Sequence, residues 1–265
     1  MSNSVLMLND EISEEKIFEK GDNYRVIIGG KKDMDVEVTD IIVNNDRELE
    51  ILSLTLGENV IPVNYNEDVF SNKYLANNLY ENSISEKFEW DYRNPKEALE
   101  IITRIYMPDY IKENLSANVD LIKKQYVHKA NSNNVMISYP ERVGNMLYYR
   151  GFNDSDEFIN DHESDHLAGI KLFEAVRQTT LASFHVMGVP FGKTMVLTTV
   201  NIDYKKFIQL DKPYFIQVIP ACKTDGGAMF NVFNVIQSGE SCVTGYIGAY
   251  TFRTKEAYES KRFKK

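Results

Sequence analysis

"GIKLFEAVRQTTLASFHVM", residues 169 to 187, decides how this chain is read. It has no internal proline or glycine, and Gly188 and Pro190 follow it, so the pattern predicts one long helix that stops there. It reads as strongly amphipathic, rich in Leu172, Phe173, Ala175, Val176, Leu181 and Phe184. Four strand-like runs come next: "TMVLTTVNIDY", "YFIQVIPAC", "AMFNVFNVIQS" and "CVTGYIGAYTF". Turn residues separate them, among them Asp225-Gly226-Gly227 and Ser238-Gly239. One long helix followed by antiparallel strands predicts an α+β fold in which a curved sheet wraps a central helix.

The approach to the helix reads "DHESDHLAG", Asp161 to Gly169, and contains a literal H-E-x-x-H. A zinc protease uses that motif because both histidines sit one turn apart on a helix face, with the glutamate between them as general base. Here Asn153, Asp154, Ser155, Asp156, Asn160 and Asp161 precede it, which favour turns and caps over helix interiors. The position that would carry the third ligand of the extended motif is Leu172. The metal reading therefore fails on context, and no metal is expected.

A helix start offers other chemistry. Asp165 is placed to cap a helix beginning at Leu167 or Ala168, and Gly169 lets a ligand approach the backbone. The free amides there suit a thioester carbonyl or its oxyanion. Glu174, Arg177 and Gln178 share one helix face beyond it. Two readings stay open for them: a working site, or a Glu174–Arg177 ion pair on an exposed stripe.

These residues carry a resemblance. "GIKLFEAVRQ" is similar to the P-G-x-L-x-x-E-A-x-x-Q helix start of hotdog-fold acyl-carrier dehydratases. It more closely resembles the A-factor biosynthesis hotdog family of γ-butyrolactone synthases, whose repeats read H-P-x-D-H-x-P-G-M-x-L-x-E-A-x-R-Q. His162, Asp165, His166, Gly169, Leu172, Glu174, Ala175, Arg177 and Gln178 fall on those positions. Val127, His128 and Lys129 match the V-H-[RK] opening of such a repeat, and "GVPFGKTMVL" resembles its V-P-x-G-x-x-F segment. The likeness covers residues 126 to 255; Ala168 and Ile170 replace the usual proline and methionine.

The resemblance implies a hotdog fold and acyl transfer. A β-ketoacyl group would leave an acyl-carrier-protein or CoA thioester for the hydroxyl of a small phosphorylated acceptor such as dihydroxyacetone phosphate, without a cofactor. Amides near Gly169 would polarise the carbonyl, and Glu174, its carboxyl raised by burial, would act as general base. Arg177 would anchor the phosphate or pair with Glu174. His166 would orient substrate or assist proton transfer, with His162 and Asp165 in lesser roles. Gln178 would bond substrate or helix backbone. The same fold hosts dehydratases, thioesterases and non-catalytic acyl-binding proteins. Family members commonly carry two repeats and only one is found here, which implies a homodimer or pairing with the N-terminal half.

The rest of the chain bounds these expectations. Among 265 residues 43% are apolar, and no apolar run approaches membrane-spanning length. The net charge of −9 argues against tracking nucleic-acid phosphates. The start lacks a basic, then apolar, leader pattern, and Cys222 and Cys242 lack C-x-x-C spacing, so a cytoplasmic protein with reduced thiols is expected. In the N-terminal half, "NYRVIIGG" and "DMDVEVTDIIV" read as a hairpin around Gly29 to Lys32, and "ELEILSLTL" and "NVIPV" as further strands. Asn94 and Pro95 open a helix carrying Leu99, Ile102 and Tyr106 on one face, broken by Pro108. Residues 1–122 are thus expected to form a smaller α+β domain, 123–258 the hotdog unit, and 259–265 a frayed basic tail.

Overall fold

The structure, a computed structural model, describes residues 24–28, 41–43, 46–56, 60–65, 94–117, 120–155, 157 and 164–262. Its centre is helix α4 (Gly169–Val186), laid against a six-stranded antiparallel sheet. The sheet runs β4-β5-β7-β8-β9-β6, built from β4 (Glu141–Val143), β5 (Met146–Gly151), β6 (Met195–Tyr204), β7 (Tyr214–Ala221), β8 (Gly227–Gln237) and β9 (Glu240–Thr251). The helix, the four strands after it and their turns match the sequence reading. The chain leaves α4 at Gly188, whose φ of +95° suits the left-handed exit of a helix. It then runs to the far edge, where β6 bonds only β9.

Both faces of the sheet are covered. On the inner face Leu172, Ala175 and Val176 of α4 meet Tyr149, Ile216, Val218, Phe233 and Val243. On the outer face Phe215, Ile219, Phe230 and Val232 meet an N-terminal layer of helices α1 (Asp46–Leu56), α2 (Lys96–Ile102) and α3 (Asp109–Ala117). Every residue of β7 is therefore buried, which accounts for its nearly unbroken apolar run. At about 1.5–3 kcal/mol for each fully buried aliphatic side chain, Ile101, Ile102, Ile111 and Leu115 anchor that layer firmly.

Several N-terminal expectations are corrected. "ELEILSLTL" lies in α1, not in a strand: Ile51, Leu52, Thr55 and Leu56 are buried, a spacing of one and four that only a helix places on one face. The turn expected at Gly29 to Lys32 lies outside the described residues, and the described first strands do not pair as a hairpin. β1 (Tyr24–Ile28) lies between β2 (Ile41–Val43) and β3 (Val60–Tyr65), parallel to both. Parallel strands of one sheet require a crossover, and α1 lies in the one that carries the chain from β2 past β1 to β3. Helix α2 begins after Pro95, and its buried face is Ala98, Ile101 and Ile102, with Leu99 and Tyr106 partly buried beside it.

Glu141–Val143 pairs with β5 as a short strand, and the turn between them is confined to Gly144 and Asn145. Gly144 has a φ of +58°, and a Cβ there would lie 2.6 Å from the Leu56 carbonyl. That contact lets Asn145 bond the last turn of α1, through its N–H to Thr55 O (2.6 Å) and its Nδ2 to Leu54 O (2.7 Å). "NVMISYP" forms only isolated bridges, Ile137 with Gly151 and Ser138 with Leu121. The start of the basic tail belongs to a surface helix, α5 (Lys255–Arg262), whose Lys261 lies over the Tyr250 ring. Among the described residues no helix is long and apolar enough to cross a membrane.

Candidate functional site

The segment entering α4 is held by the chain that leaves β6. Leu167 N–H donates to Ile208 O (2.7 Å), Leu210 N–H to Asp165 O (3.3 Å), and His166 bridges Gln209. Buried Gln237 clamps that loop, accepting from Gln209 N–H and donating to the carbonyls of Gln209 and Lys212. The pairing holds Ala168 extended (φ −58°, ψ 135°), and among the described residues no side chain caps the helix.

The cap expected from Asp165 is therefore corrected. Its carboxylate is 99% exposed and bonds His166 Nδ1 at 2.8 Å instead. That bond holds the Asp165 carboxyl below its ordinary range. Ser164 Oγ lies 3.2 Å from the same Nδ1. In a neutral ring that donates through Nδ1 to the carboxylate, Nε2 keeps its lone pair. Beside this histidine a cavity of about 310 Å3 opens against Gly169. Leu167, Leu172 and Ile208 make it apolar, Phe207 stands beside it with its ring 4.6 Å from that of His166, and Lys205 and Lys206 also line it. Tyr204 OH donates to Gly169 O (3.0 Å), so the helix start is fixed while its first amides stay uncapped.

Further along α4 lies a different environment. Arg177 grips Glu174 with two hydrogen bonds, Nε to Oε2 and Nη2 to Oε1, both 2.7 Å. Lys129 Nζ reaches Oε1 at 2.8 Å and also pairs with Glu157, while Gln178 Nε2 donates to Oε1 at 3.0 Å. Burial works to raise the Glu174 carboxyl, but the bonds from Arg177, Lys129 and Gln178 outweigh it and hold it at about 2. The expectation of a raised carboxyl is thus reversed. Gln178 bonds neither free solvent nor its own helix backbone. Its Oε1 accepts from Met136 N–H (2.8 Å) and its Nε2 donates to Asn134 O (2.7 Å), which staples α4 to the neighbouring segment.

Sequence reasoning missed part of this cluster. Lys129 was visible only as a motif match, yet it is the second cation on Glu174. His128, in a left-handed conformation (φ 54°), meets His185 Nε2 to Nε2 at 2.9 Å, and His185 Nδ1 meets Val189 O at 2.7 Å. A carbonyl only accepts, so His185 carries its proton on Nδ1 and accepts from His128 at Nε2. Burial pushes His185 down to about 4. Nothing local in the sequence pairs positions 128 and 185.

His162 lies outside the described residues, as do Asp161 and Glu163. His166 stands before α4 begins rather than on it, and Leu172 is buried in the core. Eight residues separate Gly169 from Arg177, which at 1.5 Å per residue sets them about 12 Å apart along the helix.

A family model described as the A-factor biosynthesis hotdog domain matches residues 112–253, more than half of the chain. The chain belongs to that family. The sheet wrapped on α4 is its hotdog fold, and α3 lies largely inside the matched span. Among solved structures the chain is similar to one in the dehydratase heterocomplex ApeI:P of Xenorhabdus doucetiae, at 14% identity and a TM-score of 0.43, over 53% of this chain and 97% of that one. A hypothetical thioesterase crystallised with coenzyme A from Streptococcus pneumoniae is 13% identical, over 41% and 79% of the two chains, with a TM-score of 0.33. AziG of S. sahachiroi is 12% identical, over 44% and 91%, at 0.35. Similarities this low carry nothing about activity. No curated protein matches the chain.

Proposed function

We propose that this A-factor-type hotdog protein is an enzyme that cleaves acyl thioesters at the start of α4. One observation carries the reading: an uncapped helix start opens on an apolar cavity with an oriented imidazole beside it. The acyl group of a carrier-protein or CoA thioester occupies the cavity, and its carbonyl oxygen lies on the first amides of α4. His166 Nε2 takes the proton of an incoming O–H nucleophile. The C–O bond forms, the C–S bond breaks, and His166 returns the proton to the departing sulfur. Asp165 orients His166. Glu174, ionised and fully bonded, is a positioning residue that fixes α4 against Lys129.

Water as nucleophile gives hydrolysis. A hydroxyl acceptor gives acyl transfer, the step a γ-butyrolactone pathway needs from a β-ketoacyl group and dihydroxyacetone phosphate. Lys205 beside the cavity favours this second reading by offering a phosphate a cation, while Lys206 next to it pairs with Glu240 at 2.8 Å. Arg177 does not line the cavity and is held by Glu174 through two hydrogen bonds. Edge strand β6 exposes Val196, Leu197 and Val200 and bonds only β9, which suits pairing with a second copy.

The test is thiol release from acetoacetyl-CoA with and without dihydroxyacetone phosphate, for the native protein and His166→Asn. Release that needs both His166 and the phosphate supports acyl transfer; release indifferent to the phosphate supports hydrolysis. Thioester binding without release leaves a non-catalytic acyl-binding protein. Release unchanged in His166→Asn removes the proposed mechanism.

A further inference from the structure

On the sheet face opposite α4, the N-terminal layer leaves a second cavity of about 380 Å3. It lies between the Thr103–Met107 segment after α2, the first turns of α3, and the β8–β9 turn at Ser238 and Gly239. This size suits a small molecule.

Its floor departs from the apolar character of the surrounding interface. Ser241 Oγ donates to Asn234 Oδ1 (2.6 Å), Asn234 Nδ2 to Gln217 Oε1 (3.1 Å), and Gln217 Nε2 to Ile105 O (2.9 Å). Buried amides are costly unless bonded, and this chain fixes which end of each amide points where. It uses one of the two Nδ2 hydrogens of Asn234, a residue only 3% exposed that lines the cavity. Phe215, Ile236 and Met107 form an apolar wall. Asp109 and Lys112, three residues apart on α3, also line the cavity, and neither side chain has an ion-pair or hydrogen-bond partner among the described residues.

One unpaired anion and one unpaired cation beside an apolar wall and an amide donor complement a molecule with the opposite charges and an apolar group. We propose that this cavity binds a small zwitterion with an apolar side chain, of the α-amino-acid class. Lys112 and the spare Asn234 hydrogen hold the carboxylate, Asp109 holds the ammonium, and Phe215 and Ile236 pack the side chain. The site is separate from the α4 cavity, since the sheet lies between them. Its walls come from both the N-terminal layer and the sheet, so occupancy stabilises their association.

Calorimetric titration of the full chain with L-phenylalanine, phenylacetate and phenethylamine tests this. Saturable binding of L-phenylalanine is expected, with each single-charge analogue weaker by about tenfold or more. Lys112→Glu, a surface change, should weaken L-phenylalanine by about the same factor while leaving thiol release as it was. No saturable heat, equal affinity for all three compounds, or undiminished affinity in Lys112→Glu overturns the proposal.

Discussion

The start and the middle of α4 differ in how their polar groups are used. At Gly169 the helix amides have no side-chain cap among the described residues, the nearest imidazole is oriented by Asp165, and an apolar cavity adjoins them. Around Glu174 the carboxylate receives four hydrogen bonds from Arg177, Lys129 and Gln178, and Gln178 is itself fully engaged. A group whose partners are already in the protein holds structure together. A group left without one can take a ligand. The residues most similar to the family's helix motif therefore lie in the saturated region, and the cavity lies a turn or more before them.

The largest expected effect would break this comparison if it failed. Glu174→Ala removes the partner shared by Lys129, only 9% exposed, and Arg177, 22% exposed, and leaves Glu157 as the one described carboxylate paired with Lys129. A loss of about 3 kcal/mol is expected in urea unfolding. Full stability with abolished turnover would instead make Glu174 a reacting group. His166→Asn should do the opposite: turnover of the thioester falls by about 10²-fold or more, while stability changes by less than about 0.5 kcal/mol. Equal losses in both quantities would merge the two regions into one.

The pH dependence of stability is a smaller and separable effect. His185 is held at about 4 against an ordinary 6.5, so the unfolded chain binds its proton first. Its contribution is present above about 6.5 and is lost as pH falls towards 4. Glu174 is held at about 2 against 4.5, so its contribution persists to lower pH and is lost from about 4.5 down to 2. Urea midpoints measured from pH 7 to 3 should show both losses, and His185→Gln should flatten only the upper one. The smallest change is expected from Asp165→Asn. Its exposed carboxylate orients His166 in high dielectric, so turnover should drop only about two- to fivefold. A drop as large as that of His166→Asn would mean the pair is shielded from water in the working enzyme.

Where the sequence signal was local, it was legible. Gly188 and Pro190 end α4, and the apolar runs and glycine turns after it locate β6 to β9. Local patterning misled in the N-terminal half. Leu52, Leu54 and Leu56 alternate with Ser53 and Thr55 in "ELEILSLTL" and mimic a strand, but Ile51, Leu52, Thr55 and Leu56 pack as a helix because a sheet face lies beneath them. A hint of that layer was present in β7, where apolar residues fall on both faces and a single covered face would have alternated.

By itself, the sequence determined the elements around α4, their order and the family to which they belong, since helix period, turn chemistry and motif are properties of neighbouring residues. Only tertiary structure decided what each candidate group bonds. Asp165 does not cap α4 because Leu167 and Leu210 bind the segment to a loop some forty residues later in the chain, which holds Ala168 extended. Glu174 stays ionised despite its burial because Arg177 bonds it and Lys129, 45 residues earlier, arrives beside that pair. A side chain's charge and availability depend on its partners in space, and those partners come from parts of the chain that no local pattern joins.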